Sequence, residues 1–234
     1  MFKKGFETLA NVKNNAAAKE TCRKLIEAAG EVFAEKGLHA ATLQEITDRA
    51  GANKAAVNYH FRDKFELYAE VVRQGLTFGN IPPAPEDRRG TPEDQLRRFI
   101  ARMVRQLLDP SQPPWRATII AHEIAQPTAA MDAVMNDLFV PKSCLLREIV
   151  QANVGTGATE EKISRLALSI VSQCIFYLHS RSIITRLYPA LNASNNSIDD
   201  ITAHVTEFSL DALRAARRRL KTPSRQVKLT RRRA

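Results

Sequence analysis

The 234 residues predict an all-α protein, an N-terminal three-helix unit followed by a helical bundle. Three observations carry that expectation. Apolar residues recur at three- and four-residue spacings, and no β-rich alternating stretch stands out. Ala and Leu dominate an apolar content of 44%, and aromatics supply only 6%, a composition that suits packed helices. Proline and glycine gather between the periodic segments, at 80–92, 109–114, 127 and 155–157.

Taken in order, residues 1–18 lack periodicity and read as a flexible arm, with Lys3, Lys4 and Lys13 as candidate phosphate contacts. Residues 19–66 read as the three-helix domain, 67–220 as a helical body and 221–234 as a basic tail. The first helix is expected over Lys19–Lys36, with Leu25, Ala28, Ala29, Val32 and Phe33 on its apolar face and Gly37 as its cap. A fourth helix runs from Asp63 to about Phe78. Thr91 caps the next one, with Pro92 at the first helical position, where its missing N–H costs nothing. A short helix follows over Trp115–Ala125. Thr128 starts another that is interrupted at Pro141 and ends near Val154. Thr159 caps a long helix through Tyr188, and Ser197 with Asp200 begins a final one to about Leu220.

The stretch Thr42–Leu67 organises the chain. Thr42 and Glu45 have the spacing of a capping box. Leu43, Ile46 and Ala50 then share one helical face, and Gly51 ends that helix where a left-handed residue is easiest to accommodate. Asn53 caps a second helix through Val57 to about His60, and Val57, Phe61 and Phe65 are expected to close the core. Two helices around a short glycine turn match the helix-turn-helix motif, whose second helix enters the DNA major groove.

The run A-G-x-N-K-x-x-V-x-Y-H-F-x-x-K-x-x-L, on Ala50, Gly51, Asn53, Lys54, Val57, Tyr59, His60, Phe61, Lys64 and Leu67, resembles the N-terminal domain of TetR-family transcriptional regulators. Thr47 and Asn58 depart from the family pattern, where a small alanine and a first tyrosine are usual. The resemblance implies a homodimer that binds a double-stranded palindromic operator, most often as a repressor, with an activator as the alternative. The DNA-binding candidates are Thr42, Asn53, Lys54, Ala55, Asn58, Tyr59, His60 and Lys64. Lys54 reaches a guanine or a phosphate, Asn58 pairs with adenine, and Ala55 meets a thymine methyl. Tyr59, Lys64 and Thr42 look like the family's phosphate contacts. Packing of the corner between helices is the alternative for Tyr59 and the favoured reading for His60.

The stretch 120–151, with Glu123, Pro127, Thr128, Pro141 and Leu145 as matching elements, is similar to the C-terminal domain of a TetR subgroup that includes CecR-type regulators of antibiotic sensitivity. It implies a ligand-responsive, dimeric body. Trp115, His122, Glu123, Gln126 and Phe176 are the effector-site candidates, each with a core or surface role as its alternative. The dimer is expected through the helices near 159–188 and 197–220, using Leu166, Ile170, Cys174 and Leu178 on one and Ile201, Val205, Phe208 and Leu213 on the other. The same faces packing within one chain is the alternative.

Residues 1–213 carry 25 Lys/Arg against 25 Asp/Glu, and residues 214–234 carry 10 against none, so the whole net charge of +10 sits at the C-terminal end. That end is either solvated or an auxiliary phosphate-binding arm. Cys22, Cys144 and Cys174 have no CxxC spacing, which argues for a reducing, cytoplasmic setting and against a zinc site. No signal peptide, membrane span, Gly-rich phosphate loop, G-x-S-x-G or H-E-x-x-H is read, so no cofactor, metal or enzymatic activity is expected.

Overall fold

The structure, a computed structural model, describes residues 3–77, 88–193 and 198–221, and within them the side chains of 16–77, 88–191 and 198–221. The expected contacts of Lys3, Lys4 and Lys13, the Pro-rich 80–87, the Ser197 cap and residues 222–234 lie outside the described residues. All regular structure among the described residues is helical. The chain divides into two compact units, one formed by 1–82 and 109–140, the other by 83–108 and 141–234.

In the first unit, α1 (Lys3–Ala40) begins well before the expected Lys19. The stretch read as an arm contains Ala16–Ala18 together with Lys3, Lys4, Glu7, Leu9 and Lys13, good helix formers that make no apolar stripe; propensity, not periodicity, makes it helical. Gly37 breaks the helical geometry at φ 75, as its assignment as a cap requires. Then come α2 (Leu43–Ala50), α3 (Lys54–His60) and α4 (Lys64–Thr77). The unit is completed by α6 (Trp115–Ala125), α7 (Ala129–Val134) and a π-helical turn, Met135–Phe139. Its core joins Leu25, Val32 and Phe33 of α1 to Ile46, Val57, Phe61, Leu67, Val71 and Ile119. Phe65, expected in this core, is instead exposed, whereas Tyr68 takes the inner place with its ring edge-on to Phe33 at 5.0 Å.

A slot without side chains fixes α6. A Cβ built on Gly30 of α1 falls within 3.0 Å of three atoms of the Trp115 indole, closer than real Cβ atoms approach. A Cβ on Gly75 of α4 meets the same ring at an ordinary 3.5 Å. Polar contacts frame the slot: the indole N–H donates to Glu27 at 3.1 Å, and Arg116 donates to the Gly75 carbonyl. Arg116 is buried, and burial pulls its pKa down to about 10, with Asp109 opposing.

The second unit holds α5 (Pro92–Leu108), α8 (Val140–Val154, from Pro141 onward), α9 (Glu160–His179), α10 (Arg181–Leu187), α11 (Pro189–Ala193) and α12 (Ile198–Lys221). Leu96, Ile100, Leu146, Ile149, Ile170, Val205, Leu210 and Leu213 form its core. The single helix expected through Tyr188 is broken at Ser180 (φ −102, ψ 15), where the next turn restarts by Ile184 N–H bonding to the Ser180 carbonyl. Serine competes with the backbone for hydrogen bonds and so suits such a break. Pro141 does not interrupt the chain at its own position. It sits in the first turn of α8, which tolerates a missing N–H, and the irregularity falls in the preceding π turn. Cys174 is buried and its thiol is pushed up to about 12 by burial, while Cys144 is exposed.

Gly30→Ala is expected to destabilise the protein by about 1–3 kcal/mol through overpacking, although Gly→Ala inside a helix normally stabilises. Gly75→Ala, without the clash, is the control. Urea unfolding followed by circular dichroism checks both, and an unchanged Gly30→Ala midpoint would show that the slot is loose.

Candidate nucleic-acid interface

Local chemistry sets each part of the α2–α3 unit. Thr42 is extended (φ −114, ψ 148), and its hydroxyl accepts from the Glu45 N–H at 3.2 Å. Glu45 in turn accepts from the Thr42 N–H at 3.1 Å, so both halves of the capping box are present. Lys36 of α1 also donates to Glu45, and this bond, followed by those from Thr42, holds the carboxyl at about 2. Gly51 is left-handed (φ 61, ψ 34), and the N–H of Ala52 closes the turn onto the Thr47 carbonyl at 3.0 Å. Thr47 is buried, and its hydroxyl is satisfied by the carbonyls of Leu43 and Gln44. Asn53 caps α3 by accepting from the Ala56 N–H at 2.9 Å.

With Val57 turned inward, α3 presents Lys54, Ala55, Asn58 and Tyr59 to solvent. Tyr59 is 79% exposed, a large aromatic surface on a seven-residue helix. The His60 ring lies 4.9 Å from that of Tyr59 and 5.9 Å from that of Phe61. Thr42 and Asn53 are occupied as caps. Lys64 differs most from its expected role. Its ammonium donates to the carbonyls of His39 at 3.1 Å and Ala41 at 2.9 Å, tying the end of α1 to the start of α4.

Sequence reasoning missed the clamp that orients α2. Arg49 makes a two-pronged pair with Glu35 at 2.7 and 3.0 Å, next to the Lys36–Glu45 bond. These partners lie 14 and 9 residues apart, beyond the local spacings that sequence patterns reveal.

The effector-site candidates do not form one cluster within a unit. Trp115, His122, Glu123 and Gln126 belong to the first unit, and Phe176, 56% exposed, belongs to the second. Trp115 is held in its slot. Glu123 is fully buried and accepts from the Tyr68 hydroxyl at 2.6 Å, the Thr128 N–H at 3.0 Å and the Thr128 hydroxyl at 2.8 Å. Burial first, then that bond to Glu123, raises the Tyr68 phenol. Glu123 thus joins α4, α6 and the cap of α7, while His122 and Gln126 are exposed. Among the described residues no group of three or more His, Cys, Asp or Glu side chains could hold a metal, and no helix is long and apolar enough to cross a membrane.

A boxed helix, a left-handed glycine turn and a second helix with an open polar face define a helix-turn-helix protein. The chain belongs to the tetR family of bacterial regulatory proteins, whose N-terminal domain matches 25–71, and to its CecR type, whose C-terminal domain, described as that of the HTH-type transcriptional dual regulator CecR, matches 92–213. It is 28% identical over 176 residues to the dual regulator CecR of Shigella flexneri, covering 70% of this chain and 78% of that one. It is 47% identical over 51 residues to the HTH-type transcriptional activator FasR of Mycolicibacterium smegmatis, covering 22% of this chain and 23% of that one. The chain spans 23%, 45% and 28% of the first three curated relatives it matches. A tetR-family regulatory protein from Rhodococcus RHA1 shares the fold, with a TM-score of 0.60 at 22% identity over 82% of this chain and 96% of that one.

Lys64→Met is expected to lower stability by about 1 kcal/mol by freeing two carbonyls at the end of α1. It should leave the salt dependence of DNA binding unchanged. A slope reduced by about one unit per subunit, read from binding at several salt concentrations, would return Lys64 to phosphate contact.

Proposed function

We propose that the protein is a homodimeric, sequence-specific DNA-binding transcriptional regulator, a repressor that occupies a palindromic operator and is released by a small-molecule effector. The observation that carries the reading is the open face of α3. Lys54, Ala55, Asn58 and Tyr59 are exposed together while Val57 anchors the helix behind them. Such a face supplies a cation, a bidentate amide, a methyl contact and an aromatic hydroxyl, the groups that read base edges and phosphates. Twofold symmetry then calls for half-sites one helical turn or more apart.

The exposed apolar residues of the second unit support self-association. Ile163, Ala167, Ile170 and Cys174 of α9 and Ile201, Val205 and Leu213 of α12 are buried within the protomer, so most of the residues expected at the interface pack internally. Other apolar residues are open, Leu168 at 64% and Phe176 at 56% with Ile183 and Leu187 of α10, together with Phe208, an expected interface residue, at 59%. An isologous contact that buries these residues against a second copy removes their exposure.

Effector release is supported by the CecR-type match and by the way α6 is fastened to α1 and α4. A ligand that prefers one position of α6 biases the elements that carry α2 and α3, and a differential affinity of about 1–3 kcal/mol is enough to release an operator severalfold to a hundredfold. With Trp115 and Glu123 engaged internally and Phe176 in the proposed contact between copies, His122 and Gln126 are the candidates left open to a ligand.

The activator reading is favoured by the names of two relatives, the activator FasR and the dual regulator CecR. Deleting the gene separates the two, because neighbouring transcripts rise if it represses and fall if it activates.

Genomic fragments selected by the purified protein should contain a pseudo-palindrome. Asn58→Ala should relax preference at one base pair per half-site by about 1–3 kcal/mol. An equal loss on every sequence would remove Asn58 as a base reader, and no selected sequence at all would overturn the reading. Light scattering at micromolar concentration should give twice the chain mass, and Phe208→Asp should halve it. A wild-type monomer would rule out the dimer.

A further inference from the structure

We infer that Glu35 and Glu66 restrain sequence-independent DNA binding, each by holding an arginine of the helix-turn-helix domain away from the phosphate backbone. Phosphate contacts supply affinity for any duplex, and contacts to base edges supply choice. Residues 16–77 carry nine Lys/Arg against nine Asp/Glu, so this domain gains no affinity from net charge. The Lys/Arg between 36 and 64 are held almost one by one. Lys36 donates to Glu45, and Lys64 donates to the carbonyls of His39 and Ala41. Arg49 makes two bonds to Glu35, at 2.7 and 3.0 Å, and a third to Glu31 at 3.4 Å. Arg62, between α3 and α4, donates to Glu66. Lys54 is the exception. It opens α3, is exposed and has no acidic partner among the described residues. The open cation therefore sits on the helix that presents Asn58.

Two simpler roles account for only part of this. Stability explains the pairs poorly. The side chains of Arg49 and Glu35 are 37% and 52% exposed, those of Arg62 and Glu66 81% and 45%, and exposed pairs contribute little to folding. Glu35 also lies just before Gly37 breaks α1, near a helix end where the dipole disfavours an anion. Orienting α2 is a role for Arg49 with Glu35, but Arg62 and Glu66 stand at i,i+4 and fasten no distant element. What the two pairs share is an arginine beside α2 or α3 whose charge is already met by a carboxylate.

Such a carboxylate acts on its arginine as a fixed counterion. To reach a phosphate the arginine must leave that partner, so one exposed ion pair is exchanged for another and little is gained. A free arginine instead releases counterions condensed on the duplex. On the operator, α3 fixes the register and with it the phosphates within reach. On other sequences the protein takes any register, so a freed arginine adds most there. A regulator that competes with a large excess of non-operator sites depends on that difference. The inference rests on the DNA-binding reading of α3, and its test separates the two.

The unsubstituted protein is compared with Glu35→Gln, Glu66→Gln and the double variant, in which an amide keeps the shape and removes the charge. Asp48→Asn is the control, because Asp48 bonds to Gln44 and its loss frees no cation. The probes are a selected operator duplex and a scrambled duplex of equal length. Each engaged phosphate contributes about 0.9 to the slope of log affinity against log salt. Each Glu→Gln change should therefore steepen the slope on scrambled duplex by about 0.9 per protomer, raise affinity for it severalfold at low salt and narrow the operator's advantage. Adding Arg49→Gln to Glu35→Gln should return the slope to that of the unsubstituted protein, and Asp48→Asn should leave it unchanged. Equal slopes for all the proteins overturn the inference, and so does an equal rise with Asp48→Asn, which would reduce the effect to net charge. Weaker operator binding at an unchanged slope also overturns it and leaves Glu35 an orienting residue alone. If the slope on scrambled duplex steepens but no sequence is ever preferred, the restraint on the arginines stands and the base-reading role of α3 fails.

Discussion

The indole of Trp115 lies where α1 and α4 have no side chain to oppose it. Gly30 leaves the α1 backbone bare, Gly75 does the same on α4, and the ring closes the space between them. A flat, rigid group fixed from two sides leaves α6 little freedom to roll or slide, because a tightly packed interior resists small displacements. The placement of Arg116 against the Gly75 carbonyl and of Glu123 under Tyr68 follows from it. A fully buried carboxylate is costly unless its oxygens are satisfied, and Glu123 meets that condition with three donors from two other elements. The α4–α6–α7 corner is therefore tied together through one satisfied carboxylate. Displacing any one of the three helices strands a buried polar group.

The α2–α3 unit relies on a different kind of interaction. Its polar ties to α1 are exposed ion pairs, Arg49–Glu35 and Lys36–Glu45, and beside it Lys64 of α4 holds the carbonyls of His39 and Ala41. Exposed pairs are individually weak and screened by salt. Val57, Phe61 and Ile46 supply the apolar anchor, and the polar ties set orientation. Rigid packing lies behind the exposed face of α3 and adjustable electrostatics lie beside it.

Most of the helix boundaries were legible because short-range chemistry writes them: Thr42 with Glu45, Gly51, Asn53, Thr91 before Pro92, and Thr128 all cap where their spacing says. The early start of α1 was hidden because its residues favour helix without forming a stripe. The break at Ser180 was hidden because apolar residues continue through it, at Ile183, Ile184 and Leu187. On α9 and α12 the period showed which residues share a face but not whether that face meets the protomer's own core or a partner. Ile170 and Phe208 look equally apolar in sequence, and only packing separates the buried one from the open one. The bonds of Lys64 to the carbonyls of His39 and Ala41 were hidden for a similar reason, since a lysine at that position reaches a phosphate and a carbonyl equally well. The Gly30–Trp115 slot joins residues 85 positions apart and left no local trace.

The distribution of tryptophan and cysteine makes the molecule its own spectroscopic ruler. Its single tryptophan is inside the first unit. Of its three thiols, one is in the second unit and exposed, Cys144, while Cys174 is buried with a thiolate that is hard to form and Cys22 is half-buried with its pKa raised. A thiol-reactive acceptor dye therefore labels Cys144 first, since the thiolate is the attacking species. The indole then serves as the energy-transfer donor, with no residue added or removed. Trp115 and a labelled Cys144 place one fluorophore in each unit, so transfer efficiency reads changes in the separation of the units directly in the native chain.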